Sequence, residues 1–278
     1  MNKAEQKDRT LGLERVGNVL TEIMFAFLEF MGLYERTEDC LCCGEACRGL
    51  LCIKCWKQLV EICGDCCVKC GRYLDWNEGE KAESLFCEEC KDRLTSYDLV
   101  ISCYEYNGLT KELLHRLKYS KEKVLAEVFA PRMAERLVEE LSTWVRFRPE
   151  EWILVPVPVS NEKLEERGYN QAMLMAECVG QNLGRWLGMD GVVPVRDLLT
   201  RRKDTVGQHK LTKTERNRNI LGAFSVKVEY NIAEKKIILV DDIFTTGSTA
   251  EECAKVLKRA GCRHVIVLTA SGGGRKRV

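Results

Sequence analysis

The 278-residue chain has almost no net charge: 43 Lys and Arg against 42 Asp and Glu leave +1. Nothing about the chain as a whole therefore demands nucleic acid or an anionic surface. Long apolar runs are also missing. No stretch reaches the roughly 20 uncharged residues of a membrane span, and no secretory signal is recognisable, so a cytoplasmic protein without a transmembrane segment is expected. Core aliphatics are scarce between positions 37 and 96, and a region of that size needs a staple to fold. The 45% hydrophobic content is ordinary for a globular chain, with length for one large or two smaller domains.

Cysteine is what the chain has in excess. Of its 16 cysteines, 12 lie between Cys40 and Cys90. Cys40/Cys43, Cys52/Cys55, Cys67/Cys70 and Cys87/Cys90 are Cys-x-x-Cys pairs, each able to place two thiolates on one metal. Two such knuckles complete a tetrahedral zinc site, so the pairs taken in order make two structural zinc sites. Gly44 and Gly71 follow their pairs where a tight knuckle needs positive φ. The register is open, because Cys63/Cys66 is a further pair and Cys42 and Cys47 lie nearby. Four-cysteine ligation is also shared with iron–sulfur clusters. From 37 to 96 there are 12 acidic and 8 basic residues, a net of −4, the wrong sign for phosphate-backbone binding. A structural or protein-docking role suits this segment better.

A second stretch carries different chemistry. Ile237 to Val240 is a short apolar run suited to a buried parallel strand. Asp241 and Asp242 follow at its end, then Thr245-Thr246-Gly247-Ser248-Thr249. A helical period through Ala250, Cys253, Ala254 and Leu257 comes next, with Gly261 as its C-terminal stop. Ligands of parallel sheets bind beyond the carboxyl ends of strands. A hydroxyl-rich loop at a helix N-terminus offers N–H groups and a positive dipole end to phosphate. Adjacent carboxylates would repel a bare phosphate but accept hydrogen bonds from vicinal hydroxyls, so a phosphorylated ribose satisfies both halves. The bland alternative is an ordinary strand-to-helix turn whose Thr and Ser residues cap the helix.

The remaining pattern alternates strand and helix, as a parallel sheet requires. Strands are expected at Tyr97–Tyr106, Glu151–Pro158 and Val265–Thr269, and helices at Gly108–Lys118, Val124–Leu141 and from the Arg167–Gln171 motif to Leu187. Val159-Ser160-Asn161 reads as a flexible turn. Leu13 to Tyr34 has the period of an amphipathic helix. Arg201 to Asn219 holds seven basic and two acidic residues without apolar period, the composition of a cationic lid suited to pyrophosphate. The basic tail Arg275-Lys276-Arg277 is expected to be solvated. The domains are thus 1–36, an N-terminal helical extension; 37–96, a cysteine-rich module; and 97–278, an α/β domain.

The Asp241–Thr249 stretch closely resembles the phosphoribosyl pyrophosphate (PRPP) signature of type I phosphoribosyltransferases. With the cysteine pairs, Leu117-Lys118-Tyr119, Val155-Pro156-Val157-Pro158, Arg167-Gly168-Tyr169-Asn170-Gln171, Arg202, Thr205, Gln208, Leu211, Arg216, Asn219 and Gly222-Ala223-Phe224, the chain resembles the competence protein F (ComF) family over roughly Cys40 to Ala270. That resemblance implies a type I phosphoribosyltransferase fold, a parallel sheet flanked by helices with a small hood, behind a double zinc ribbon. It implies Asp241 and Asp242 on the ribose hydroxyls, Thr245, Thr246, Gly247, Ser248 and Thr249 around the 5-phosphate, and Val159 and Ser160 near the pyrophosphate. Arg202 and Lys203 would supply lid charge, and magnesium would accompany PRPP. The family is associated with DNA uptake in natural transformation, through single-stranded DNA and other uptake proteins. Two readings follow: a transferase acting on PRPP, or a non-catalytic uptake factor regulated by it. No motif points to a particular acceptor, and no residue stands out as a general base.

Overall fold

The computed structural model describes residues 38–74, 85–144, 151–186, 193–202 and 221–273. The expected N-terminal helix, the lid from Lys203 to Asn219 and the tail beyond Gly273 lie outside these residues. The chain groups into two compact units, 1–55 and 56–278, and each is taken by itself.

In the first unit, β1 (Glu38–Asp39) pairs antiparallel with β2 (Ala46–Cys47). The chain then enters the short helix α1 (Ile53–Trp56). Cys40, Cys52 and Cys55 are buried there, in a place where longer elements would put aliphatic residues.

The second unit is built on a four-stranded parallel sheet. Its strands are β3 (Leu99–Glu105), β4 (Trp152–Pro156), β7 (Lys236–Ile243) and β8 (His264–Gly272), in the order β3-β8-β7-β4. Ile237, Ile238, Leu239 and Val240 are all fully buried, because helices cover both faces of an all-parallel sheet. Between β3 and β4 run α2 (Gly108–Tyr119) and α3 (Leu125–Trp144); after β4 come α4 (Asn161–Arg167) and α5 (Gln171–Trp186); α6 (Ser248–Arg259) joins β7 to β8. Short strands β5 (Leu199–Arg201) and β6 (Phe224–Val226) form a separate antiparallel pair. One face of the sheet packs Ile237, Leu239 and Val267 with Cys253, Ala254 and Leu257 of α6 and with Leu199 and Phe224 of this pair.

The expected strands and helices of this unit are present, with ends shifted by a few residues. The turn expected at Val159–Asn161 is instead the start of α4. Ser160 is its N-cap, its Oγ accepting from the Lys163 N–H at 3.4 Å. A seven-residue helix rich in Glu and Arg has too little apolar period to read from sequence. β7 runs on through Ile243, so both aspartates belong to the strand and keep its alternation.

Candidate functional site

The cysteines form two quartets. In Cys40, Cys43, Cys52 and Cys55, and again in Cys67, Cys70, Cys87 and Cys90, the sulfur atoms all lie within 4.8 Å of one another. Cys43 and Cys52 Sγ are 3.6 Å apart, and Cys70 and Cys87 Sγ 3.8 Å. A tetrahedron with zinc–sulfur bonds of about 2.3 Å has edges of about 3.8 Å, so the donor sets fit zinc. The surplus Cys42, Cys47, Cys63 and Cys66 stand outside both quartets. Gly44 and Gly71 have φ of 73° and 67°, as the knuckles require. Burial pushes the Cys40 thiol up, but N–H groups of Cys43, Cys52 and Cys42 aimed at its sulfur bring it down to about 6. The Cys70 thiol donating to Cys67 holds that residue down at about 4, against burial. Backbone donors and close thiols thus favour thiolate at one sulfur of each quartet, the form that binds metal.

At the carboxyl end of the sheet lies a cavity of about 370 Å³. Asp241, Asp242 and the loop from Thr245 to Thr249 line it, together with Val159, Lys118, Lys163, Arg167, Gln171 and Arg201. Strand alternation turns Asp242 toward α5, where Gln171 Nε2 donates to its Oδ1 at 3.2 Å and Lys118 Nζ pairs with its Oδ2. Burial acts to raise Asp242, but the Lys118 ammonium outweighs it and holds the carboxyl below its ordinary value. Asp241 differs. Burial and the neighbouring Asp242 charge push it well above the usual carboxylate range. Its Oδ1 accepts the Asp242 N–H at 2.9 Å. The two acids are therefore set apart: the Lys118 ammonium favours the charged form of Asp242, and burial disfavours that of Asp241.

The loop after β7 turns sharply into α6. Gly247, the N-cap of α6, has φ of 77°, and a methyl group there would stand 2.5 Å from Phe244 Cζ and 3.0 Å from Arg93 Nη2. Only glycine fits. Thr246 Oγ1 and Ser248 Oγ lie 2.7 Å apart, and Thr245 is exposed.

Arg167 and Gln171 line this cavity, and the three residues between them set the helices that carry the pair. Gly168 closes α4 in the left-handed conformation. The Tyr169 hydroxyl donates to the Leu117 carbonyl, fixing the end of α2 beside Lys118. Asn170 Oδ1 accepts from the Ala172 N–H at 2.9 Å to start α5, while its Nδ2 donates to the Val157 carbonyl at 3.0 Å. Arg167 Nη1 donates to Gln171 Oε1 at 2.8 Å, and the Arg167 Nε is buried without a partner.

Several of these residues were not singled out as site residues from sequence. Lys118, Lys163, Arg167, Gln171 and Arg201 reach the cavity from four different elements. In the sequence, Lys118, Arg167 and Gln171 stand out only as parts of longer motifs. Among the expected residues, Ser160 is buried as a helix cap, and Arg202 is exposed with its Nε donating to Ser225 Oγ at 2.7 Å. Its neighbour Arg201 is the one at the cavity wall. Burial lowers the Lys163 ammonium, and the charges of Arg167, Arg201 and Lys118 lower it further. These crowded cations suit a polyanionic ligand.

A parallel sheet with an acidic strand end, a hydroxyl loop on a helix N-terminus and a cation-lined cavity defines a protein of the type I phosphoribosyltransferase class. The profile of the phosphoribosyl transferase domain matches residues 174–278. The competence protein ComFC of Bacillus subtilis is 30% identical over 216 residues, covering 76% of this chain and 79% of that protein. Competence protein F of Haemophilus influenzae is 28% identical, covering 78% of this chain and 88% of its own length. The chain belongs to the ComF family of phosphoribosyltransferase-like competence proteins. A hypoxanthine phosphoribosyltransferase of Staphylococcus aureus superposes with a TM-score of 0.33 at 12% identity, covering 54% of this chain and 75% of that one. No described helix is long and apolar enough to cross a membrane.

Proposed function

We propose that this chain binds PRPP in the cavity at the end of β7. The observation that carries this reading is the convergence, on one cavity, of Asp241 and Asp242, the Thr245–Thr249 loop and the cations Lys118, Lys163, Arg167 and Arg201. Asp241 and Asp242 hold the ribose hydroxyls. Thr245, Thr246, Gly247, Ser248 and Thr249 surround the 5-phosphate with hydroxyls and the first N–H groups of α6. Lys163, Arg167 and Arg201 face the pyrophosphate, with Val159 and Ser160 beside it and Arg202 in the adjoining lid. Magnesium bound with PRPP would supply charge neutralisation at the leaving pyrophosphate. In a transferase, these cations stabilise charge developing on that pyrophosphate as its bond to the ribose breaks. The two cysteine quartets hold one structural zinc ion each, Cys40, Cys43, Cys52 and Cys55 for the first and Cys67, Cys70, Cys87 and Cys90 for the second. We place the protein in the cytoplasm, where a reducing environment keeps such thiolates available to metal.

Calorimetric titration with PRPP, with and without Mg²⁺, tests this reading on zinc-loaded protein. Saturable, magnesium-dependent binding is expected, and it is lost in the Asp241→Ala, Asp242→Ala double variant. Unchanged affinity in that variant sinks the reading.

The second reading is a DNA-uptake factor that binds PRPP as a regulator and transfers nothing. It draws on the relatives' names, which include "Competence protein F" and "DNA utilization protein YhgH", and on one feature of the cavity. Among the described residues that line it, the acidic ones are Asp241 and Asp242, and no histidine joins them. Asp242 is already paired with Lys118 and Gln171, so the cavity offers few groups for general-base work. Single-stranded DNA titrated at two salt concentrations separates the readings, because phosphate contacts make binding salt-dependent. No salt-dependent binding removes the second.

A further inference from the structure

The second cysteine quartet is wired directly to the loop that precedes α6. From Cys90 the chain runs past Arg93, whose N–H donates to the Cys90 carbonyl at 3.1 Å. Ser96 then donates twice to the Glu251 carboxylate in the first turn of α6, from its N–H at 2.9 Å and its Oγ at 2.8 Å. The Tyr97 ring meets Phe244 edge-on, with centroids 6.1 Å apart. Its hydroxyl donates at 2.9 Å to the carbonyl of Lys69, between Cys67 and Cys70, and Lys69 Nζ donates to the Cys90 carbonyl at 3.1 Å. Both knuckles of the quartet are thus tied to this strap, and the strap is tied to the loop on either side, at Phe244 before it and Glu251 after it.

Arg93 sits where the strap crosses the loop. Its Nη2 lies 3.0 Å from the position a Cβ would take on Gly247, the N-cap of α6. Its guanidinium has no carboxylate partner among the described residues. Gly247, which Arg93 abuts, lines the cavity, and that cavity has a second sign of an anionic ligand: Arg167, 6% exposed, lines it with its Nε unpartnered.

We propose that Arg93 is a ligand of the phosphoryl group held by the Thr245–Thr249 loop, and that metal in the Cys67, Cys70, Cys87 and Cys90 quartet strengthens phosphate binding by fixing the strap that carries it. The inference rests on the PRPP reading above and adds a residue and a linkage to it. The hydroxyls and N–H groups of the loop are neutral donors, whereas a guanidinium supplies the full charge that a phosphoryl dianion calls for. Without metal, four close thiols no longer hold Cys90, and the strap loses its anchor. Linkage then requires the reverse effect: phosphate must tighten the metal by the same factor that metal tightens phosphate.

The test uses the full chain loaded with zinc. PRPP affinity is measured by calorimetry for wild type, Arg93→Gln and Arg93→Lys, with thermal melts confirming that each variant is folded. Separately, release of zinc to a chelator is followed with a metallochromic indicator, with and without saturating PRPP. Expected are a loss of about ten- to a hundredfold in PRPP affinity for Arg93→Gln and partial rescue in Arg93→Lys. One of the two zinc ions is held more tightly with PRPP in wild type, and that gain disappears in Arg93→Gln. Wild-type affinity in Arg93→Gln, or zinc release indifferent to PRPP, overturns the proposal while leaving the PRPP site standing. Absence of binding in every protein, wild type included, overturns both.

Discussion

Lys118 and Asp242 form a buried ion pair that joins the last turn of α2 to the end of β7, with side chains 16% and 7% exposed. Gln171 completes it from α5. The pair sets the charge of the site before any ligand arrives, because the ammonium favours the charged form of Asp242 while burial disfavours that of Asp241.

Removing one partner of such a pair strands the other. Lys118→Met is expected to cost about 3–5 kcal/mol of folding stability, read as a lowered urea midpoint. Asp242, without its ammonium, should then titrate higher. A variant as stable as wild type would mean that the pair is solvated in solution.

Asp241 carries a pH dependence of known sign. Its folded value lies well above its ordinary 3.8, so the native state binds more protons than the unfolded one in that window. Its contribution to stability is present at low pH and is lost as pH rises from 3.8 toward the raised folded value. Asp241→Asn should therefore raise Tm at neutral pH, flatten that part of the stability curve and weaken PRPP binding at least about tenfold. Scanning calorimetry from pH 4 upward, paired with PRPP titration, checks it; a lowered neutral Tm would reverse the assignment.

Gly247→Ala places a methyl group against Phe244 Cζ in a left-handed backbone conformation. The expected cost is about 1–3 kcal/mol. Phosphate affinity should fall further than stability alone explains, since the first N–H groups of α6 move with the loop. Titration with ribose 5-phosphate, which carries no pyrophosphate, isolates this effect.

Each quartet should bind one metal ion. Elemental analysis is expected to give two zinc ions per chain, and Cys43→Ser or Cys70→Ser should reduce this to one. Chelation couples metal loss to loss of structure. Hydrogen exchange should then rise first around residues 38–55 on loss of the first ion and around 67–74 and 85–97 on loss of the second.

Short-range patterns carried much of this structure. Cys-x-x-Cys spacing announced the knuckles because two ligands of one metal lie within a single turn of chain. Strand β7, its two aspartates and the loop into α6 were legible for the same reason: strand, turn and helix start are consecutive, and their periods are local. Which of the 12 clustered cysteines converge was not legible, since Cys63 and Cys66 offer the same spacing as the pairs of the two quartets, and folding alone decides which sulfurs come together. Nor was α4, whose Glu- and Arg-rich turn has no apolar stripe to reveal it.

By itself, then, the sequence determined the Cys-x-x-Cys spacing, the parallel α/β order and the acidic and hydroxyl-rich end of β7, because each is written in neighbouring residues. The tertiary structure alone decided that Lys118 ionises Asp242, that Arg167 and Gln171 face the same cavity, and that Arg93 lies against Gly247. Those relations join α2, α4, α5 and the second quartet to one strand end. They depend on side chains from distant elements sharing a desolvated space, where a charge takes its meaning from whatever is packed against it.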